Sequence, residues 1–241
     1  MSFYFAFIKE DFTDKEIEDI LSGVQLEYEL RDNISDKYPL KTFSELYGET
    51  QQHGYDESYY YLLITVFNQT QLNQLLENHT YLLEHLIMII CEEDDLNVEE
   101  NEGKEDEIIL DFSVLDNYDL QNLKFVRLIY SDVSGLLGFI NCKNMLYFEA
   151  INIFTEIEDI IVVRNFNQLV YCALCETKIK YINPLMSLRS LKHLYIWSNN
   201  IITIPDNIKQ LNNIEVLKLN NNPIENCSEE TFEWLMEKNA L

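Results

Sequence analysis

Leu191-Lys-His-Leu-Tyr-Ile-Trp-Ser-Asn199 and Ile214-Glu-Val-Leu-Lys-Leu-Asn-Asn-Asn222 superpose with a shift of 23 residues. Leu191, Leu194, Ile196 and Asn199 fall on Ile214, Leu217, Leu219 and Asn222, and Ile201 and Ile224 follow two places beyond each Asn. Alternate residues of a strand face opposite sides, so Leu194 and Ile196 take one face while His193, Tyr195 and Trp197 take the other. One such unit cannot bury its apolar side alone, and stacked neighbours complete the core. The Asn is suited to bonding backbone groups where the chain leaves the strand.

Working backwards, Leu169, Cys172, Leu174, Thr177, Ile179 and Ile182 keep the spacing at a shift of 22, with Cys and Thr in place of Leu and Asn. Phe148, Ile151, Ile153 and Glu156 continue it at a shift of 21, and Leu123, Val126, Leu128, Ser131, Val133 and Leu136 at 25. The L-x-x-L-x-L-x-x-N pattern resembles the leucine-rich repeat family, whose repeats run roughly 20–29 residues. The resemblance covers Leu120 to Cys227 and implies an α/β solenoid of about five repeats. It also implies that Ile204-Pro205 opens a return segment with Ile208 and Leu211 facing inward. Ser228-Glu-Glu-Thr-Phe-Glu-Trp-Leu-Met reads as a closing helix with Ser228 as N-cap. Phe232, Leu235 and Met236 are expected to cover the final core edge.

The chain has 241 residues, 47% of them hydrophobic, enough for a sizeable core in one domain or two. Its 42 acidic and 17 basic side chains give a formal charge of −25. Residues 1–106 carry 25 acidic and 6 basic side chains, net −19, peaking at Glu92-Glu-Asp-Asp and Glu99-Glu-Asn-Glu-Gly-Lys-Glu-Asp-Glu. Direct nucleic-acid binding is not expected, because phosphate neutralisation needs Lys and Arg clusters. A basic protein partner would be steered in at low salt; the other reading of the charge is solubility alone. Five cysteines without framework spacing fit a reducing compartment. No apolar run reaches the ~18 residues of a membrane span, and the start of the chain lacks the basic region of a secretion signal. A cytoplasmic protein without membrane contact is the expectation.

Two parts are expected: an acidic α+β domain over 1–106, including an acidic loop at 92–106, and the solenoid over 107–241. In the first, Ser2 to Lys9 alternates as a strand, and Thr13 to Glu16 has capping-box spacing before the stripe Ile17, Ile20 and Leu21, ended by Gly23. Val24 to Leu30 and Tyr59 to Phe67 read as strands, Gln69 to Glu77 as a helix and Tyr81 to Cys91 as a strand, with a short helix near Phe43 to Tyr47. One long helix over Gln69 to Ile90 is the rival, opposed by Asn78-His-Thr. The order β-α-β, insertion, β-α-β fits a ferredoxin-like sandwich, and an N-terminal cap of the solenoid is the other reading. Glu107 to Val114 is expected to be a further strand at the junction.

No catalytic, cofactor or metal site is expected. Cys172-Ala-Leu-Cys175 is a C-x-x-C, but an extended strand points Cys172 to the core and Cys175 to the opposite face. His53, His79, His85 and His193 lack ligand spacing, and no Walker loop, G-x-S-x-G or G-x-G-x-x-G occurs among six glycines.

The strand positions facing away from the core form three columns: Arg127, Asn152, Ala173, Tyr195 and Lys218; Ile129, Phe154, Cys175, Trp197 and Asn220; and Phe125, Ala150, Tyr171, His193 and Val216. Phe154, Tyr171, Tyr195 and Trp197 are thereby expected together on an open concave surface, with Arg127, His193 and Lys218 beside them. Clustered surface aromatics are anchors for a protein partner. The expected function is non-enzymatic protein binding through that face, in one version as an intracellular inhibitor or immunity-type protein neutralising a basic partner. An enzyme with its site in the N-terminal part, and a scaffold or homo-oligomer, are the alternatives.

Overall fold

The computed structural model describes residues 2–8, 13, 15, 28–31, 61–66, 68–78, 80–92, 110–129, 133–153 and 160–241. The expected helix from Thr13 to Leu21 apart from Thr13 and Lys15, the strand residues Val24 to Glu27, the short helix near Phe43, most of the acidic loop and Phe154 lie outside the described residues.

Ser2–Ile8 (β1), Tyr28–Arg31 (β2) and Tyr61–Val66 (β3) are followed by the helix Gln69–Asn78 (α1) and the strand Leu86–Glu92 (β4). β1 pairs antiparallel with both β3 and β4, and β2 pairs antiparallel with β3, giving the order β4-β1-β3-β2. Phe3, Phe5 and Phe7 are buried on one face of β1, as alternation requires. The strand expected from Tyr81 begins only at Leu86, because Thr80–His85 is a 3-10 turn that buries Leu82 and Leu83.

Of the expected junction strand Glu107 to Val114, residues 107–109 lie outside the described residues, and Leu110–Asp111 (β5) pairs in parallel with Val133–Ser134 (β7). Asp111 then accepts from the Ser113 N–H at 2.9 Å and caps a 3-10 turn over Phe112–Asn117, which ends the strand.

Phe125–Ile129 (β6), Tyr147–Ile151 (β8), Tyr171–Cys175 (β9), His193–Tyr195 (β10) and Val216–Lys218 (β11) stack in parallel, each reached through a 3-10 return segment. Val126, Leu128, Phe148, Ala150, Cys172, Leu174, Leu194, Ile196, Leu217 and Leu219 enter one core with Phe139, Val163, Leu185 and Ile208 of the return segments. Before each strand the turn repeats: Leu123, Met145, Leu169, Leu191 and Ile214 each donate N–H to the carbonyl three residues back. After β8, β9, β10 and β11 the chain turns through a left-handed residue, Asn152, Glu176, Ser198 and Asn221.

β4 also pairs in parallel with β6, Ile89 opposite Val126 and Cys91 opposite Leu128, so one nine-stranded sheet runs from β2 to β11. The Lys124 N–H donates to the Ile87 carbonyl, the bond that Glu215 and Lys192 carbonyl make further along. Leu86, Ile89 and Cys91 therefore hold core positions of a further, cryptic strand of the stack, and all three are buried.

Asn199 fastens the best-formed turn. Its Oδ1 accepts from the Thr177 N–H, the Ile179 N–H and the Thr177 hydroxyl at 3.0–3.1 Å, and its Nδ2 donates to the Leu174 carbonyl at 2.6 Å and the Ile196 carbonyl at 3.1 Å. Asn222 repeats this one step on, with Nδ2 2.8 Å from the Ile196 carbonyl and Oδ1 3.2 Å from the Ile201 N–H.

At the other end of the stack the helix Glu229–Glu237 (α2) is capped by Ser228, whose Oγ accepts from the Thr231 N–H. That cap sets its phase: Thr231 and Leu235 are buried and Trp234 packs on the core, whereas Phe232 and Met236, expected inside, are 49% and 57% exposed.

Asn199→Ala strands several buried backbone groups and is expected to lower the unfolding free energy by about 3 kcal/mol. Asn222→Ala, where water can substitute, should cost about half that. Urea unfolding followed by circular dichroism measures both, and equal losses would show that the buried carboxamide is not what holds the turn.

Candidate outer-face site

The sheet face turned away from the core, the concave face of the sequence reading, carries three columns whose register is fixed by the strand pairing. They read Phe125, Tyr147, Tyr171, His193, Val216; then Arg127, Glu149, Ala173, Tyr195, Lys218; then Ile129, Ile151 and Cys175, beyond which Trp197 follows β10. β6, β9, β10 and β11 stand where the sequence spacing puts them. β8 does not: Phe148, not Ile151, is opposite Cys172. Glu149 thus replaces Asn152 in the Arg127 column, Tyr147 replaces Ala150 beside Tyr171, and Ile151 takes the place expected for Phe154. The cause is Ala150, a small residue at a leucine position, with Met145 and Phe148 completing the core set.

Correcting the register brings out a cluster that the sequence pattern hid. The rings of Phe125, Tyr147 and Tyr171 stack in line, with centroids 4.3 Å apart at each step and interplanar angles of 17° and 1°. Beneath this stack Glu149 Oε2 accepts from the Tyr147 hydroxyl at 2.8 Å and meets Arg127 Nε at 2.9 Å, while Oε1 lies 3.5 Å from the Tyr171 hydroxyl. Burial pushes the Glu149 carboxyl above its ordinary range, against the pull of Arg127 and the hydroxyls. Burial first, and the Glu149 charge next, push both tyrosines upward, so they remain neutral donors to the carboxylate.

Beyond Tyr171 the covering ends. Tyr171 is only 7% exposed, which departs from the open surface expected for it, whereas His193, Tyr195, Trp197 and Lys218 are all partly exposed. The Tyr195 ring lies 5.5 Å from that of Tyr171 and the His193 ring 6.2 Å. Among the described residues His193 Nδ1 finds no hydrogen-bond partner although it is buried, and desolvation lowers the imidazole's affinity for a proton. Lys218 Nζ donates to the Asn239 carbonyl at 2.9 Å, tying the column to the residues after α2. Cys172 and Cys175 face opposite sides of β9; both are buried free thiols, the second pushed up to about 12, chiefly by burial. Among the described residues no group of three His, Cys, Asp or Glu side chains could hold a metal ion, and no helix is long and apolar enough to cross a membrane.

A cleft of about 590 Å³ opens between two return segments, lined by Asp116, Asp119, Asn141, Lys143 and neighbours. Its amides serve the backbone: Asn141 donates to the Asp116 carbonyl and Asn144 to the Gln121 carbonyl.

No protein-family model matches the sequence, and no curated protein matches it. The solved structures that resemble it are leucine-rich repeat proteins, each matched over about half of this chain. Internalin C2 from Listeria monocytogenes is 20% identical with a TM-score of 0.42, covering 48% of this chain and 49% of its own. The leucine-rich-repeat ectodomain of a membrane receptor kinase from Arabidopsis thaliana is 24% identical with a TM-score of 0.41, covering 46% and 13%. A second Listeria internalin is 20% identical with a TM-score of 0.39, covering 50% and 40%.

Arg127→Met leaves the Glu149 carboxylate buried without its cation and is expected to cost roughly 2 kcal/mol at neutral pH, allowing for the quarter of Arg127 in solvent. A carboxyl raised in the folded state contributes stability that is complete below its unfolded value and lost as pH rises through the folded one. The deficit of Arg127→Met should therefore shrink from pH 7.5 to pH 5, and adding Glu149→Gln should abolish that dependence. Denaturant unfolding at the two pH values tests this; a deficit independent of pH would sink it.

Proposed function

We propose that this chain is a non-enzymatic protein-binding module whose contact surface is the uncovered part of the sheet's outer face, with Tyr195 and Trp197 as anchors and His193 and Lys218 beside them. The observation that carries the reading is the break in covering along one face: buried through Tyr171, then partly exposed aromatics in adjacent positions. Large rings held on a sheet offer contact area at low entropic cost, the chemistry of interface hot spots. Arg127 and Tyr171, engaged around Glu149, take a supporting role beneath that surface. Phe154 lies outside the described residues and is not used.

The finer reading, an intracellular inhibitor or immunity-type protein acting on a basic partner, is supported by the net −19 of residues 1–106. The division into an acidic part over 1–106 and a repeat part over 107–241 goes with it as a division by charge, since the stack itself reaches back to β4. A ferredoxin-like N-terminal unit is supported by the β4-β1-β3-β2 order and by α1 between β3 and β4.

A pull-down from the native source should retain a specific protein that the Tyr195→Ala/Trp197→Ala double variant loses, with the variant's thermal melt confirming its fold. Identical sets of captured proteins would overturn the outer-face reading. With the partner in hand, the inhibitor reading expects an association rate that falls by roughly tenfold or more from low to physiological salt. A salt-independent rate removes it and leaves the surface assignment standing.

A further inference from the structure

The helix that closes the stack presents a surface that the outer-face reading does not use. With Thr231 and Leu235 buried, α2 leaves Phe232 and Met236 one turn apart in solvent. Beside that apolar row runs a second row, Glu229, Glu233 and Glu237, spaced at i, i+4 and i+8. Like charges at that spacing repel one another, and Glu237 stands in the last turn, where the negative end of the helix opposes it and no basic residue is present. Lys238 is turned the other way: its Nζ donates to the Ile214 carbonyl at 3.1 Å and sits 5.9 Å from the Trp234 ring centroid. Lys209 meets Glu230 at 2.8 Å, outside the row. The fold gains nothing from the apolar row, and of the acidic row only Glu229, in the first turn, meets a favourable helix end, while Glu233 and Glu237 are opposed by their neighbours or by the helix terminus.

We propose that this face of α2 docks a basic amphipathic segment of another protein, its Lys or Arg row against Glu229, Glu233 and Glu237 and its apolar row over Phe232 and Met236. Charge decides between occupants. A second copy packed antiparallel on this face, about a two-fold axis perpendicular to α2, would set the same acidic row against itself, and an anionic lipid surface would be repelled. A purely polybasic segment would leave the two apolar side chains in water, so the complementary partner carries both characters on adjacent rows. This site is independent of the outer face, and either can fail alone.

The test uses the full chain and a synthetic helical peptide of Lys and Leu in amphipathic order, with a Glu/Leu peptide of the same pattern as control, followed by calorimetry at physiological salt. The chain should bind the Lys/Leu peptide and not the control. Glu229→Gln/Glu233→Gln/Glu237→Gln and, separately, Phe232→Ser/Met236→Ser should each weaken binding by roughly tenfold or more. All five side chains are exposed, and thermal melts check that both variants fold. Undiminished binding by either variant would assign the peptide to acidic residues elsewhere, and absence of binding by the unaltered chain would equally overturn the proposal. So would sedimentation as a dimer that Phe232→Ser/Met236→Ser dissolves, since a second copy would then be the occupant.

Discussion

An inward-turned carboxamide at the end of a strand is the constraint on which the stack depends. β10 pairs with each neighbour over three residues, too few ladder bonds to set the course of the chain beyond it. Asn199 supplies the missing partners, reaching from its own turn to Leu174, Thr177 and Ile179 of the preceding repeat. The opposite turns use the same chemistry outside the core, where Asn144 donates to the Gln121 carbonyl and Asn213 to that of Arg189. Each polar side chain thus joins one repeat to the last, and the hydrophobic residues then have a fixed geometry in which to pack.

Where the carboxamide is missing, aromatic packing takes over. Thr177 and Ile153 stand at the Asn position in the two repeats before Asn199, and those repeats are filled by Phe139, Phe148 and Phe166, with ring centroids 6.2 and 5.4 Å apart. The series continues through Phe112 to Phe3 on β1, so the N-terminal strands and the repeats share one core. Asn122 extends the carboxamide device to that junction by donating to the Glu84 carbonyl.

The repeats are legible wherever the apolar positions keep their spacing, which is why β9, β10 and β11 fall in register although Cys172 and Thr177 replace leucine and asparagine in the β9 repeat. The pattern fails at Ala150, too small for a leucine position although fully buried, so that Met145, fully buried before it, goes unread as a core position and Glu149 and Tyr147 stay hidden. Leu86, Ile89 and Cys91 read from sequence only as part of a strand from Tyr81 to Cys91 in the N-terminal part, since their parallel partner β6 begins more than thirty residues later and no local signal announces it. Phe232 and Met236 were assigned inward by hydrophobicity alone, whereas the Ser228 cap fixes which side of α2 meets the core. Periodicity reports that a residue is apolar and evenly spaced; phase comes from caps and pairing.

The single-file order of the sheet has a mechanical side. From β4 to β11 every strand's sheet neighbours are those adjacent in the stack, so a load pulling the two ends apart passes through each pairing in turn. His193–Tyr195 joins three residue pairs to Tyr171–Cys175 on one side and three to Val216–Lys218 on the other, against six where β1 meets β3. Under tension the sheet would part first at one of the two seams of β10, while the broader seams toward β1 stay shut.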